Sequence, residues 1–204
     1  AFAINCLTGN KFSKIELIKF AMCGEEVASG SKHADNLSPL IFGGFTLVRS
    51  LKPLDIVTLP SLEELYVIIT HPLIELKTKD ARLLIDKNIK LEKAIQQWGN
   101  LAGFIASLYS KNYKLLSKSI KDVIIEPQRL KLIPNFNEIV DAASSKKALG
   151  SGISGSGPSI FSICRGKKKA ELVLDTIKKI TDKKNITYNL ILSKINTDGI
   201  KIIN

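Results

Sequence analysis

The chain has 204 residues, of which 45% are hydrophobic and 24% charged, and its formal net charge is +11. This balance is typical of a globular protein with one large or two small domains, and no apolar stretch is long enough to span a bilayer. The lysines are spread out and are not interleaved with aromatic residues, so we expect no nucleic-acid partner and no membrane partner. A basic surface also suits a small anionic ligand.

The three cysteines are odd in number, and Cys6, Cys23 and Cys164 each lie in an apolar context. This pattern indicates reduced thiols in the core rather than a disulfide framework. We therefore expect a cytoplasmic protein.

The first seven residues resemble the end of a buried apolar helix that stops at Gly9-Asn10. They contain no initiator Met, no capping residue and no basic leader, so we interpret the sequence as a fragment. The next predicted helix covers residues 12–29, with Ser13 as its N-cap and Gly30 as its stop.

Two acidic residues, Glu25 and Glu26, lie in the last turn of this helix, where the helix dipole disfavours negative charge. Exposure to solvent with a lysine partner such as Lys32 would explain them. A bound divalent cation would explain them equally well, because such metals take carboxylate oxygens.

A polar loop over residues 29–36 precedes a short helix at residues 37–42. Asp35 or Asn36 could serve as the cap of that helix. Together with His33, they could also bind an anion and orient a hydroxyl group at the helix start. The spacing leaves both interpretations open.

The middle of the chain predicts a hairpin of two strands at residues 45–48 and 56–58, then a buried strand at residues 65–70. A domain boundary is expected near residues 59–61. Thr78 and Arg82 follow on one face of a helix, either as a cap and a solvent-exposed arginine or as parts of a site.

Long helices are predicted at residues 89–110, with its apolar stripe in the core, and at residues 114–125. A further helix begins at Glu126-Pro127. Arg129 would then lie near a helix N-terminus, which is unfavourable for a cation unless an anion lies beside it.

The glycine-rich stretch at residues 150–159 is predicted to be a loop between a helix at residues 138–147 and a buried strand at residues 160–164. Such a loop either binds an anion through its backbone N–H groups or is a flexible linker. A helix at residues 167–180 and two strands, at residues 187–195 and 199–203, complete an α+β fold with an antiparallel sheet.

The segment Gly152-Ile153-Ser154-Gly155-Ser156-Gly157-Pro158 resembles the third motif of the GHMP small-molecule kinases. Three other segments, in the same order along the chain, resemble the homoserine kinases of that superfamily. They are residues 29–36 with the following Phe42-Gly43-Gly44, Thr78-x-x-x-Arg82, and Glu126-Pro127-x-Arg129.

The resemblance implies a two-domain kinase that transfers phosphate from ATP, with Mg²⁺, to the side-chain hydroxyl of L-homoserine, a step toward threonine. Residues 1–59 would be the remainder of its N-terminal, ATP-binding domain. Residues 60–204 would be a complete C-terminal, ferredoxin-like α+β domain. A homodimer is a candidate assembly for such a kinase.

The resemblance also implies roles for individual residues. Glu25 would be the metal ligand, Asn36 would contact the reacting hydroxyl, and Asp35 would orient the substrate or act as a base. The substrate-binding residues would be His33, Thr78, Arg82 and Arg129, and the loop beside substrate and phosphates would contain Gly152, Ser154, Gly155, Ser156 and Gly157.

One departure from the family pattern concerns its main phosphate-binding motif, Pro-x-x-x-Gly-Leu-Gly-Ser-Ser-Ala, which this sequence lacks. We therefore expect the 204 residues alone to be inactive. The alternatives are a GHMP kinase for a mevalonate-like or sugar alcohol, and a binding module that keeps the fold without the chemistry.

Overall fold

A computed structural model describes residues 1–76 and 84–203, with residues 28 and 29 described by their backbone alone. Thr78 and Arg82 lie outside the described residues, so their roles stay predictions. The chain divides into two compact units, the first formed by Ala1–Ser61 with Asn196–Asn204 and the second by Leu62–Ile195.

The first helix of the first unit, α1 (Phe2–Leu7), forms as predicted but is not buried. Ile4 is 66% exposed and Leu7 88% exposed, so the expectation of an apolar core helix is wrong for this segment. Its buried residue is Asn5, whose side chain exchanges two hydrogen bonds with the backbone of Phe12, at 3.1 and 3.0 Å.

Helix α2 (Lys14–Ser29) confirms the predicted start and stop signals. The Ser13 hydroxyl accepts a hydrogen bond from the Glu16 N–H, and the Glu16 carboxylate accepts one from the Ser13 N–H, which is a capping box. The helix ends at Gly30, whose φ of 76° is the left-handed conformation that glycine adopts without strain.

The core of the first unit lies between α2, α3 (Leu37–Phe42) and a hairpin of β1 (Phe45–Leu51) and β2 (Leu54–Leu59). The predicted hairpin is confirmed. The buried residues of this core are Ile18, Met22, Ala34 and Ile41.

The predicted strand at residues 199–203 is wrong: these residues are described and form no strand. Their backbone instead lies against the end of α3, where the Ile200 N–H donates to the Leu40 carbonyl at 2.8 Å. The Gly44 N–H donates to the Asn196 carbonyl at 2.7 Å, and any side chain at Gly43 would collide with the Thr197 carbonyl.

The second unit is built on an antiparallel sheet of β3 (Leu65–Pro72), β4 (Gly150–Ile153), β5 (Ile160–Arg165) and β6 (Tyr188–Lys194). The strand order is β4-β5-β3-β6. Two helices pack on this sheet, α7 (Phe136–Ser145) between β3 and β4 along the chain and α8 (Lys167–Thr181) between β5 and β6. This βαββαβ arrangement confirms the predicted ferredoxin-like α+β domain.

Apolar side chains between the sheet and these two helices form the core of the second unit, and each contributes roughly 1.5–3 kcal/mol by leaving water. The fully buried ones include Ile68, Ile139, Ile160, Val173 and Ile177.

Among its described residues, the second unit also contains α4 (Leu91–Tyr109), α5 (Tyr113–Ser119) and α6 (Glu126–Arg129), the last followed by a 3-10 turn at Leu130–Leu132. None of the helices within the described residues combines the length and apolar character that a membrane span needs.

The core assignment for α4 is wrong along most of its stripe. Leu91, Ile95 and Trp98 are 67%, 57% and 60% exposed. Leu108, the last residue of the stripe, is buried, and α4 packs on α5 at Gly103, where a side chain would clash with the Ser119 hydroxyl. Periodicity identified an apolar face but not its partner.

The predicted single helix at residues 114–125 is also wrong, because α5 ends at Ser119. The Asp122 carboxylate accepts hydrogen bonds from the N–H groups of Ile124 and Ile125, both at 2.8 Å. Such a side chain competes with the helical backbone for donors and favours a turn.

The three cysteines all lie in the described part of the chain and none is paired with another. Cys164 is buried, as predicted, and burial raises the pKa of its thiol to about 11. Cys23 is exposed, so the expectation of a core thiol is wrong there, and Cys6 is half-buried.

Candidate functional site

The two acidic residues at the end of α2 have different surroundings. Glu26 lies 3.4 Å from the Lys32 ammonium, and both side chains are about half exposed, so an ordinary surface ion pair explains it. Glu25 is partly buried and remains the predicted metal ligand. Among the described residues there is no group of three or more His, Cys, Asp or Glu that could hold a metal ion. A single carboxylate nevertheless suits Mg²⁺, which is often held by one or two carboxylates together with phosphate oxygens.

Within the part of the chain that the structure describes, bonds between close neighbours link residues of the polar loop before α3. The Ser31 hydroxyl lies 2.7 Å from His33 Nε2, and the Asp35 carboxylate accepts a hydrogen bond from the Asn36 N–H at 3.0 Å. Asn36 occupies the N-cap position of α3, but within the described residues its side chain makes no capping hydrogen bond. The capping interpretation is therefore wrong for the Asn36 side chain, and the exposed side chains of Asp35 and Asn36 are accessible to a ligand.

The glycine-rich stretch, residues 150–159, is a hairpin rather than a loop throughout, and we call it the glycine hairpin. Its first four residues form β4, which pairs with β5. The turn follows, closed by a hydrogen bond from the Ser154 N–H to the Ser159 carbonyl at 2.8 Å. Gly155 and Gly157 have φ angles of 60° and 83°, which favour glycine at both positions.

Arg129 is brought together with the glycine hairpin. Its Nη1 donates a hydrogen bond to the Gly155 carbonyl at 3.1 Å. The local argument for a bound anion does not hold, because Arg129 is the last residue of the one-turn helix α6 and not near the start of a longer one. A positive charge at the C-terminal end of a helix interacts favourably with the helix dipole, so no bound anion is needed to explain Arg129.

A small cavity of about 80 Å³ lies between α6 and the glycine hairpin. Its lining includes Asp122, Glu126, Arg129, Gly152, Gly155 and Phe161. Burial raises the pKa of the Glu126 carboxyl, and the nearby Asp122 charge adds to this, while a hydrogen bond from the Ile153 N–H opposes it. A half-buried carboxylate with a raised pKa is a candidate functional group when it lines a cavity, and Arg129 lines the same cavity.

The sequence analysis did not predict two contacts of the glycine hairpin. Glu126 was noted only as part of a motif, yet its carboxylate bonds to the Ile153 N–H. His71 was assigned no role, yet its Nδ1 lies 2.8 Å from the Ser159 hydroxyl. These pairs are 27 and 88 residues apart in sequence, so no local spacing could have predicted them.

The predicted site residues are thus divided between the two units. Glu25, His33, Asp35 and Asn36 belong to the first, and Arg129 and the glycine hairpin belong to the second.

Comparison with known proteins shows which family the chain resembles. Residues 104–182 match the family model described as GHMP kinases C terminal. The chain is 42% identical over 203 residues to a homoserine kinase from Chlorobium phaeobacteroides, a match that covers 98% of this chain. The chain is therefore similar to GHMP kinases, and residues 104–182 match their C-terminal domain. It spans 63% of the length of that curated relative.

Solved structures of GHMP kinases agree with this assignment. A crystal structure of homoserine kinase from Cytophaga hutchinsonii superposes with a TM-score of 0.94 at 46% identity, covering 98% of this chain and 64% of that one. Mevalonate kinase from L. major superposes with a TM-score of 0.70 at 16% identity, covering 95% of this chain and 62% of that one, which is evidence for the fold alone. The predicted resemblance to this family and the predicted α+β fold are confirmed, whereas the roles of individual residues stay predictions.

Proposed function

We propose that the full-length protein phosphorylates the side-chain hydroxyl of L-homoserine with ATP, giving O-phospho-L-homoserine for threonine biosynthesis. The observation that carries this proposal is the 46% identity and the TM-score of 0.94 to a solved homoserine kinase, extending over 98% of this chain. Similarity at that level favours a shared substrate over a merely shared fold.

The substrate carboxylate is assigned to arginine. Arg129 already has its guanidinium beside the Gly155 carbonyl, and its planar fork matches a carboxylate in a bidentate arrangement. His33, Thr78 and Arg82 are the other proposed substrate contacts. These groups would fix the amino acid so that its hydroxyl meets the phosphoryl donor in line.

The reacting hydroxyl is assigned to the polar loop. Asn36 would orient it, and Asp35 would either orient the substrate or accept the proton. Both roles for Asp35 are kept, because positioning and charge stabilisation supply most of the catalysis in phosphoryl transfer.

ATP and Mg²⁺ are the proposed cofactors. When bound, they supply the phosphoryl group and neutralise its developing charge. Glu25 would hold the metal, and the turn of the glycine hairpin would shape the site near the phosphates through Gly152, Ser154, Gly155, Ser156 and Gly157.

Two alternatives compete with this proposal: a GHMP kinase for a mevalonate-like or sugar alcohol, and a non-catalytic binding module. A coupled ADP-release assay on the full-length protein separates all three, with homoserine, mevalonate and galactose as substrates. We expect homoserine to give the highest kcat/KM. Equal or faster turnover of mevalonate or galactose would favour the first alternative, and no turnover of any substrate would favour the second.

Three further points stay predictions. The assignment of residues 1–59 and 60–204 to the N- and C-terminal domains of the family is one. The inactivity of residues 1–204 alone is another, and the same assay on that segment tests it. A homodimer is the third, and light scattering on the full-length protein tests it.

A further inference from the structure

The glycine hairpin is held by a carboxylate that the proposed reaction does not use. Glu126 begins α6, and its Oε2 accepts a hydrogen bond from the Ile153 N–H at 3.1 Å. Ile153 is the last residue of β4, directly before the turn. The bond therefore holds the point at which the chain leaves the sheet.

The hairpin is shaped to admit this carboxylate. A Cβ atom added at Gly152 would lie 2.8 Å from Glu126 Oε2 and 3.1 Å from the Phe161 ring. Both distances are shorter than ordinary van der Waals contacts, so any larger residue at position 152 would displace one of these neighbours. Gly152 is thus needed for space, and the space is the one that the Glu126 carboxylate occupies.

The same turn of helix holds the tip of the hairpin. Arg129 lies three positions after Glu126, so the two side chains leave α6 on the same side. The Arg129 guanidinium donates to the Gly155 carbonyl, two residues beyond the Glu126 contact. One helical turn thereby contacts the hairpin twice: Glu126 accepts a hydrogen bond from it, and Arg129 donates one to it.

We propose that Glu126 is a positioning residue, which fixes the turn of the glycine hairpin relative to Arg129 through its hydrogen bond to Ile153. The consequence for catalysis rests on the proposed function, since it requires that Arg129 and the turn contact the substrate. The claim that Glu126 holds the turn does not depend on the identity of the substrate.

The environment of the carboxyl group shows which of its properties the turn needs. Burial raises its pKa, which means that the charged form is disfavoured where it lies. A glutamine of the same shape would avoid this cost while keeping an oxygen for the Ile153 N–H. The oxygen that accepts from the Ile153 N–H, rather than the negative charge, is therefore what holds the turn.

The test compares Glu126→Ala with Glu126→Gln in the full-length protein, with Glu138→Gln as the matched control. Glu138 lies in the same unit, and its carboxylate forms a surface ion pair with Lys184 away from the hairpin. Two readouts are measured: amide hydrogen exchange across residues 153–159, and kcat/KM for homoserine.

Loss of one net hydrogen bond corresponds to about a tenfold change. Glu126→Ala should therefore raise the exchange rate of the Ile153 amide and lower kcat/KM, each about tenfold. Glu126→Gln should stay within about threefold of wild type in both readouts, and Glu138→Gln should change neither. If Glu126→Ala fails to fold, Gly152→Ala replaces it, since the added methyl group should displace the carboxylate and give the same increase in exchange.

Three results would overturn the proposal: unchanged exchange in Glu126→Ala, increased exchange with full activity, or a loss in Glu126→Gln equal to that in Glu126→Ala. A different result would count against the proposed function instead. If the wild-type protein phosphorylates no homoserine, the exchange measurements still decide whether Glu126 holds the turn.

Discussion

The polar loop before α3 and the glycine hairpin both carry predicted site residues, yet they are held in place differently. In the loop, the contacts between described residues join neighbours, such as Ser31 with His33. The hairpin is also held by contacts between residues far apart in sequence, 26 positions for Arg129 with Gly155 and 88 for His71 with Ser159. The hairpin depends on the tertiary structure of its unit, so changes there should affect stability and activity together. Changes in the loop should affect activity alone.

The largest effect is expected from Arg129→Ala. Removing a charged hydrogen-bonding group from the substrate carboxylate should lower kcat/KM for homoserine about 100-fold, with Arg129→Lys intermediate because lysine lacks the planar fork. Arg165→Ala is the control: its guanidinium lies 4.1 Å from the Tyr113 ring centroid and pairs with Glu64 in the same unit. Equal losses in the Arg129 and Arg165 variants would remove Arg129 from the site.

The backbone of the hairpin turn gives the next largest effect. Gly155→Ala and Gly157→Ala each place a side chain at a positive φ, which costs roughly 1–2 kcal/mol. The loss should be larger at Gly157, where the new Cβ would lie 3.1 Å from the buried Ile133 side chain, whereas at Gly155 no described atom lies within 4 Å.

Urea unfolding measures this difference. Gly99→Ala serves as a control of opposite sign, because a helical glycine with no described neighbour within 4 Å should gain about 0.5–1 kcal/mol on replacement. If Gly155→Ala and Gly157→Ala destabilise the protein no more than Gly99→Ala does, the turn of the hairpin does not have a fixed shape.

Asn36→Ala tests the loop. Its side chain makes no capping bond among the described residues, so unfolding free energy should change by less than about 0.5 kcal/mol while kcat falls about tenfold. Asn112→Ala is the matched change, since Asn112 caps α5 by accepting from the Leu115 N–H at 3.0 Å. That variant should lose about 1 kcal/mol of stability and no activity. Calorimetry and the coupled assay would show whether the two effects separate.

The smallest effect is a difference in pH dependence between two glutamates. The pKa of Glu126 is raised, mainly by burial, so its contribution to stability is present below the ordinary value of 4.5 and is lost as pH rises through the raised value. The pKa of Glu16 is lowered by its bonds to Ser13, so its contribution is present above 4.5 and is lost on acidification.

Thermal unfolding between pH 3 and pH 8 should therefore respond in opposite directions to Glu126→Gln and Glu16→Gln. The Glu126 variant should become more stable than wild type toward neutral pH. The Glu16 variant should be less stable than wild type near neutral pH, and this difference should disappear in acid. The same sign for both variants would contradict the assigned causes of the two shifts.

Local signals in the sequence were sufficient where the determining contacts are local. Ser13 with Glu16 predicted the start of α2, Gly30 predicted its end, and alternating apolar residues predicted the hairpin of β1 and β2. The failures lie where the partner is distant. The apolar stripe of α4 predicted a core that the structure does not place there, since Trp98 is 60% exposed.

The candidate site follows the same rule. Arg129 was found through a motif, but the reason first given for it, its place at a helix N-terminus, depended on a helix that proved to be one turn long. Glu126 and His71 were missed as contacts because their partners lie in a hairpin that only the folded sheet brings near. A residue can be recognised from a family pattern even when its local physical explanation is wrong.

The most direct test is a crystal structure of the full-length protein with homoserine, Mg²⁺ and a non-hydrolysable ATP analogue. We predict that the Arg129 guanidinium contacts the homoserine carboxylate, that Asn36 contacts its hydroxyl, and that Glu25 coordinates the metal. A homoserine bound elsewhere, with Arg129 and Asn36 both outside hydrogen-bonding distance of it, would contradict this account.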